Sequence, residues 1–291
     1  MKPLTIVVAS DNHYLILLAA LIKSIEDNIR QSQKINVYII EDAVTESSKK
    51  KLQRSVNGSF TTLIWQKMEE VIPKGMELPF DRSSYPLNIY MRLFIPYFIP
   101  DEIEYVLYLD VDMIVLGDVT GIFENDLHDK VIAAVLDPRI ITFDNSWGGV
   151  LNYEALGLPG TTRYFNTGLL LMNLKKWREQ NVTEKIIQCI ENNKKFANYP
   201  DQYGLNVVLV NQWFELNPLW NHFSTMETND KPFLIHFVER KPIYQSYNYS
   251  EEFKKLFFYY LNQTEWKNFK PIGESKRYFK KIKNIVDKFF K

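Results

Sequence analysis

At 291 residues and 46% hydrophobic content, the chain suits one large α/β domain or two small ones and is too apolar to be disordered. Its 35 basic and 35 acidic side chains cancel, which argues against nucleic acid as a partner, because such binders carry a basic excess. A single cysteine, Cys189, excludes an internal disulfide framework and a cysteine-based zinc site and fits a reducing, cytoplasmic setting.

The chain opens with the apolar run Leu4 to Ala9, a buried strand by pattern. It is too short for a secretory signal and runs straight into Ser10, Asp11, Asn12 and His13 without a cleavage-type region. No uncharged apolar run is long enough to span a bilayer, and the sequons at Asn57, Asn181, Asn248 and Asn262 are read as chance. A helix over Leu15–Ile25, a strand over Ile35–Ile40, a helix over Thr45–Val56 and a strand over Phe60–Gln66 follow. Thr45 is the expected N-cap, with Ser48 where a capping box wants Glu. Strands alternating with helices at this spacing predict a mostly parallel sheet covered by helices on both faces.

Lys74 to Pro86 reads as a loop and Asn88 to Tyr97 as a helix. A strand from Glu104 to Leu109 ends in Asp110-Val111-Asp112, and Met113–Leu116 and Val131–Leu136 follow, the latter closing on Asp137. Phe143 to Thr162, with four glycines, is expected to be irregular. Tyr164–Asn173 resumes sheet character, helices run on through Lys195 and over Asp201–Val210, and Pro232–Phe237 is a late strand. From Ser275 to Lys291, Lys and Arg alternate with Tyr, Phe, Ile and Val. At helical spacing this is an apolar stripe edged with positive charge, suited to an anionic membrane surface or to packing on the domain. The expected division is a catalytic domain over 1–262 and a basic amphipathic tail over 263–291.

Within a strand, residues i and i+2 face the same side, so Asp110 and Asp112 can converge just past its carboxyl end, where open α/β sheets bind ligands. Two close carboxylates repel unless a cation joins them, and a hard divalent ion bridging them to diphosphate oxygens answers that conflict. An EF-hand fails, because the next alternate residue is Ile114 and the loop glycine is missing. His236, near the end of its strand, offers a nitrogen ligand or is an ordinary core histidine; Lys241 offers a point charge for phosphate or is a solvated surface lysine. Dinucleotide, P-loop, H-E-x-x-H and G-x-S-x-G fingerprints are absent.

Taken together, the stretches Ala9 to Tyr14, Tyr108 to Asp112, Tyr164 to Gly168 running on to Asn173 to Trp177, and Pro200-Asp201-Gln202 resemble glycosyltransferase family 8, most closely its bacterial lipooligosaccharide galactosyltransferase branch. His236 with Lys241-Pro242 adds a looser match, and the likeness covers roughly residues 3 to 245. It implies a GT-A-type fold and a retaining transfer of galactose or glucose from a UDP-sugar to a saccharide or glycolipid acceptor, as in lipopolysaccharide or capsule synthesis. By the same resemblance Asp110, Asp112 and His236 bind Mn²⁺, with Mg²⁺ as a substitute. Ala9, Asp11, Tyr14, Val111 and Lys241 hold the nucleotide and its diphosphate, Arg92, Asp137 and Asn166 line the donor sugar, and Asp201 and Gln202 stand at the reacting carbon. The enzyme would work in the cytoplasm or on the inner face of its membrane.

This chain departs from the branch at three residues and in one spacing. His13 replaces an Asn, Glu239 stands where a glycine is expected, and Ile243 stands for a Trp, with Lys241 one residue early. A carboxylate beside a diphosphate is unfavourable, so Glu239 must point away or the loop must differ. A sugar-1-phosphate nucleotidyltransferase is the rival enzyme class, but it wants a Gly-rich basic loop that Ser10 to Tyr14 does not supply. A non-catalytic nucleotide-sugar-binding module is the other alternative.

Overall fold

The structure, a computed structural model, describes residues 2–76, 78–79 and 87–273; the basic tail read from Ser275 onward and part of the loop before residue 87 lie outside them. Strand β1 (Leu4–Asp11) leads to α1 (Leu15–Asn28), β2 (Ile35–Asp42), α2 (Glu46–Gln53), β3 (Thr61–Lys67) and the short α3 (Met68–Val71). Thr45 caps α2 as expected, its hydroxyl accepting the Ser48 N–H at 3.2 Å. The segment read as one helix over Asn88–Tyr97 is instead a 3₁₀ stretch, Leu87–Phe94, joined to α4 (Ile95–Phe98). Pro96 has no N–H to give to the carbonyl four residues back, so a continuous α-helical ladder cannot form there.

After α4 come β4 (Tyr105–Leu109), β5 (Met113–Val115), α5 (Thr120–Phe123) and β6 (Ile132–Leu136), then β7 (Phe165–Asn173), α6 (Leu174–Glu179), α7 (Val182–Asn192) and α8 (Pro200–Val208). Two short strands, β8 (Trp213–Glu215) and β9 (His222–Phe223), precede β10 (Leu234–His236) and α9 (Glu251–Leu261). As expected, residues 143–162 are irregular; a bridge between Thr142 and Arg163 ties their base.

Seven strands form the main sheet in the order β3-β2-β1-β4-β7-β6-β8. All run parallel except β7, which is antiparallel to both of its neighbours, so the sheet is mixed and mostly parallel. A second, three-stranded sheet has the order β5-β10-β9, and the late strand belongs there rather than to the main sheet. Alternation along β1 divides the core: Ile6 and Val8 pack with Leu15, Leu18 and Ile22 of α1, while Val7 faces Tyr90, Phe94 and Trp177 on the other side. Every residue of β7 is buried, as a strand covered on both faces requires.

Helix α1 is sandwiched between the main sheet and the second one, and its polar residues serve the join. Ser24 Oγ accepts the Val115 N–H at 2.9 Å, and Asn28 Nδ2 donates to the Val115 carbonyl at 3.1 Å. A third apolar cluster links α1 (Ile16, Leu17, Ala20) to Ile235, Phe237 and Phe257, which fixes β10 against the carboxyl ends of β1 and β4. Residues 263–273 continue on the body, with Thr264 buried and the Ile272 N–H donating to the Ile243 carbonyl at 2.8 Å.

Candidate active site

The chain runs from β1 to β2 and β3 on one side of the sheet, whereas β4 lies on the other side of β1. Connections therefore leave the two central strands in opposite directions, and a crevice opens at their carboxyl ends. A cavity of about 240 Å³ lies there, lined by Ala9, Asp11 and Tyr14 after β1, Arg92 from the 3₁₀ stretch, Asp110, Val111 and Asp112 after β4, and Lys241. Eight side chains singled out in the sequence thus share one cavity. Asp11 also organises the backbone: its Oδ1 accepts the N–H groups of His13 and Tyr14, both at 2.8 Å, which closes the turn into α1. His13, the departure from the family pattern, is tied by Nε2 to the Tyr244 hydroxyl at 2.8 Å.

Asp110, Asp112 and His236 each present a ligand atom, and these atoms lie within 4.8 Å of one another. His236 Nε2 is 3.3 Å from Asp112 Oδ1 and 3.9 Å from Asp110 Oδ2. Its other ring nitrogen, Nδ1, lies 2.9 Å from Asn221 Oδ1, and the Asn221 Nδ2 is committed to Asn166 Oδ1 at 2.8 Å. Only an acceptor therefore faces Nδ1, so Nδ1 carries the proton and the Nε2 lone pair is aimed at the aspartates. Two carboxylates and one oriented neutral imidazole are a donor set that fits Mn²⁺, with Mg²⁺ the harder alternative. Gly168 makes room for the cluster: a Cβ there would sit 2.7 Å from His236 Cε1 and 3.0 Å from Asp110 Oδ2.

Two cations flank the trio. Lys241 Nζ pairs with Asp112 Oδ2 and donates to the Phe237 carbonyl at 2.6 Å. Burial alone would raise the Asp112 carboxyl, but the Lys241 ammonium beside it holds it well below the ordinary carboxylate range. Arg92, expected at the donor sugar, is buried under the site. One of its amino groups donates to the Thr167 carbonyl, the other to Asp110 Oδ1 at 3.0 Å, and its Nε is 3.4 Å from Asp201 Oδ2. Burial opposes its charge, yet Asp110, Tyr108 and Asp201 around it more than restore it. Asp201 is not the N-cap of α8, which begins one residue earlier after Tyr199. Burial pushes its carboxyl above the usual value, and Arg92 works against that push.

Behind the trio lies a buried polar network. Asp137 Oδ2 accepts from Asn166 Nδ2 at 3.0 Å and Gln202 Nε2 at 3.3 Å, while its Oδ1 accepts the N–H groups of Arg139 and Ile140. Gln202 Oε1 in turn receives the Thr167 N–H at 3.2 Å, and Asn166 leads through Asn221 to His236. Asp137, Asn166, Gln202 and His236 are thus one connected set whose satisfied hydrogen bonds fix each rotamer.

Three members of the site escaped the sequence reading. Tyr108 donates to Asp110 Oδ1 at 2.7 Å and lies under the Arg92 guanidinium, 4.6 Å away. Its position two residues before Asp110 on the same strand was a usable signal. Asn88, one helical turn before Arg92, also lines the cavity, and its buried Oδ1 has no hydrogen-bond partner among the described residues. Asn221 gives no sign in the sequence, because it meets His236 only through folding of β9 beside β10.

The sequence profile of glycosyl transferase family 8 matches residues 5–244. General stress protein A of Bacillus subtilis is 28% identical over 284 residues, covering 90% of this chain and 94% of that protein. Glycosyltransferase GlyB of Streptococcus pneumoniae is 26% identical over 91% of this chain, which spans 63% of GlyB. The crystal structure of the galactosyltransferase LgtC with donor and acceptor sugar analogues superposes with a TM-score of 0.75 at 22% identity, over 92% of this chain and all of that one, which shows the same GT-A-like fold.

Proposed function

We propose, from the premise that the chain belongs to glycosyl transferase family 8, that it moves galactose or glucose from UDP to a saccharide or glycolipid acceptor with retention at the anomeric carbon. The observation that carries this reading is the Asp110–Asp112–His236 trio at the β1/β4 crevice, with Lys241 beside it and Arg92 beneath. Asp110, Asp112 and His236 would hold Mn²⁺, which when bound offsets the charge of the diphosphate as the sugar–phosphate bond breaks.

The chain's own residues do the rest. The cavity walls at Ala9, Asp11, Tyr14 and Val111 take the nucleotide, and the apolar floor from α1 excludes water beneath it. Lys241 supplies a mobile positive charge for the leaving diphosphate. Arg92, Asp137 and Asn166 are assigned to the donor sugar; the connected network holds Asp137 and Asn166, and Asp110 with the Thr167 carbonyl holds Arg92, without the need to reorganise during reaction. Asp201 and Gln202 are assigned to the reacting carbon. Asp201, buried and 3.4 Å from the Arg92 Nε, would offset positive charge developing there.

A panel of UDP-sugars incubated with Mn²⁺ is expected to give UDP release from UDP-galactose or UDP-glucose, and the release should stop with EDTA. Pyrophosphate formed from a nucleoside triphosphate and a sugar phosphate would favour the rival enzyme class. Binding of UDP without any turnover would favour a non-catalytic module.

The division into a catalytic unit, 1–262, and a basic tail, 263–291, belongs to the same proposal; composition supports it from Ser275 onward, whereas residues 263–273 rest on the body. Among the described residues, no helix is long and apolar enough to cross a membrane. Removing residues 275–291 is expected to release the protein from vesicles containing anionic lipid while UDP-sugar hydrolysis stays unchanged. Retained vesicle binding would assign the tail to packing on the domain instead.

A further inference from the structure

Among the described residues, Glu239 is one of six non-glycine residues with positive φ, at +61°, in the loop between His236 and Lys241. A side chain in the left-handed region is strained, so its surroundings must impose that conformation. Its surroundings are two strong hydrogen bonds from different parts of the chain. Arg139 donates to Glu239 Oε1 at 2.6 Å, and the Tyr249 hydroxyl donates to Oε2 at 2.5 Å. These two contacts, Tyr249 first, hold the Glu239 carboxyl below its ordinary range. Arg139 is itself fixed: its second amino group donates to Thr225 Oγ1 at 2.6 Å, its guanidinium lies over Phe223, and its N–H binds Asp137.

We infer that Glu239, Arg139 and Tyr249 form a clamp that positions Lys241 for a nucleoside diphosphate. The inference rests on the function proposed above. Elsewhere the loop is anchored at its ends: the Phe237 and Val238 N–H groups donate to the Asp112 and His236 carbonyls at 2.8 and 2.9 Å, the Tyr244 N–H donates to the Lys241 carbonyl at 3.1 Å, and Lys241 Nζ reaches back to Asp112 and the Phe237 carbonyl. Between them, Glu239 is the residue whose side chain ties the turn to the segment after β6 and to the segment before α9. Both carboxylate oxygens are so occupied and the Arg139 guanidinium offsets their charge, which lessens the repulsion that a glutamate in this loop would cause toward a diphosphate. Glu239, Arg139 and Tyr249 touch neither the metal trio nor the nucleotide cavity, so they are positioning residues.

The test is calorimetric binding of UDP in the presence of Mn²⁺, with Mn²⁺ alone as the companion titration. Glu239→Gly tolerates the backbone angle without strain and loses the clamp; Arg139→Gln breaks it from the other side. Each is expected to weaken UDP binding about tenfold, and the double variant no more than the stronger single one, because contacting residues in one network are not additive. In a Lys241→Met background, Glu239→Gly is expected to have no further effect. Mn²⁺ binding without nucleotide should be unchanged in Glu239→Gly and Arg139→Gln.

An unchanged UDP affinity in Glu239→Gly, or an equal tenfold loss in the Lys241→Met background, would overturn the clamp while leaving the nucleotide site intact. Absence of UDP binding by the parent protein would overturn the proposed function and the clamp with it. Thermal melts of each variant separate either result from misfolding, and Glu239→Gln, which keeps the side-chain length, should fall between parent and Glu239→Gly.

Discussion

Replacing Asp112 with alanine is expected to lower UDP-hexose turnover at saturating Mn²⁺ by at least about 10³-fold, or about 4 kcal/mol of transition-state stabilisation. The change removes one of two carboxylates from the trio, leaves Lys241 without its partner, and takes away the charge nearest His236 Nε2. A bound metal supplies several kcal/mol at a developing phosphate charge, so losing a ligand that carries formal charge is costly. The backbone is insulated from the substitution, because Phe237 bonds to the Asp112 carbonyl rather than to its side chain. This makes Asp112 a cleaner probe than Asp110, whose carboxylate also holds Arg92 and Tyr108. Asp112→Asn keeps an oxygen and should retain more activity than alanine. UDP release measured across a Mn²⁺ series is the assay, and activity within tenfold of the parent would remove Asp112 from the metal site.

Arg92→Met is expected to be the most destabilising single change at the site. Arg92 is 5% exposed and stands between Asp110 and Asp201, two carboxylates that would repel each other across the space it leaves. Breaking a buried pair by removing one partner costs about 3–5 kcal/mol, and the lower end applies here because Asp110 is partly solvated. For a chain of 291 residues that corresponds to a melting temperature lower by about 5 °C. Lysine should rescue little, since one ammonium cannot serve Asp110, Asp201 and the Thr167 carbonyl together. Added Mn²⁺ should restore part of the loss by neutralising Asp110 from the other side. Differential scanning fluorimetry with EDTA and with Mn²⁺ checks both points; an unchanged melting temperature would show that Arg92 carries no structural charge balance.

What the sequence revealed follows from the range of each interaction. The Asp110–Asp112 pair was legible because its convergence needs only the two-residue period of a strand. The turn at Asp11 and the cap at Thr45 are local as well, and both appear where the pattern put them. Arg92 and Asn166 were reachable only through family resemblance, since Arg92 meets Asp110 across 18 residues and Thr167 across 75. Asn221, which orients His236, had no signal at all. The direction of β7 was equally hidden: a strand buried on both faces reads as one apolar run whichever way it points. The late strand showed its composition but not its sheet, because membership of the β5-β10-β9 layer is decided by α1 packing between the two.

The reversal of β7 has a consequence for how such a protein diversifies. A strand entering at the catalytic edge brings its preceding segment there, so residues 143–162 arrive at the rim just before Asn166 and Gly168. There Trp147 rests beside Tyr199, and Asn145 bonds the Arg139 carbonyl. The bridge at Thr142 and Arg163 closes that segment at its base, and the donor cavity is built from other strands. A segment at the rim that is closed at its own base can be exchanged or lengthened without moving the residues that line the donor cavity.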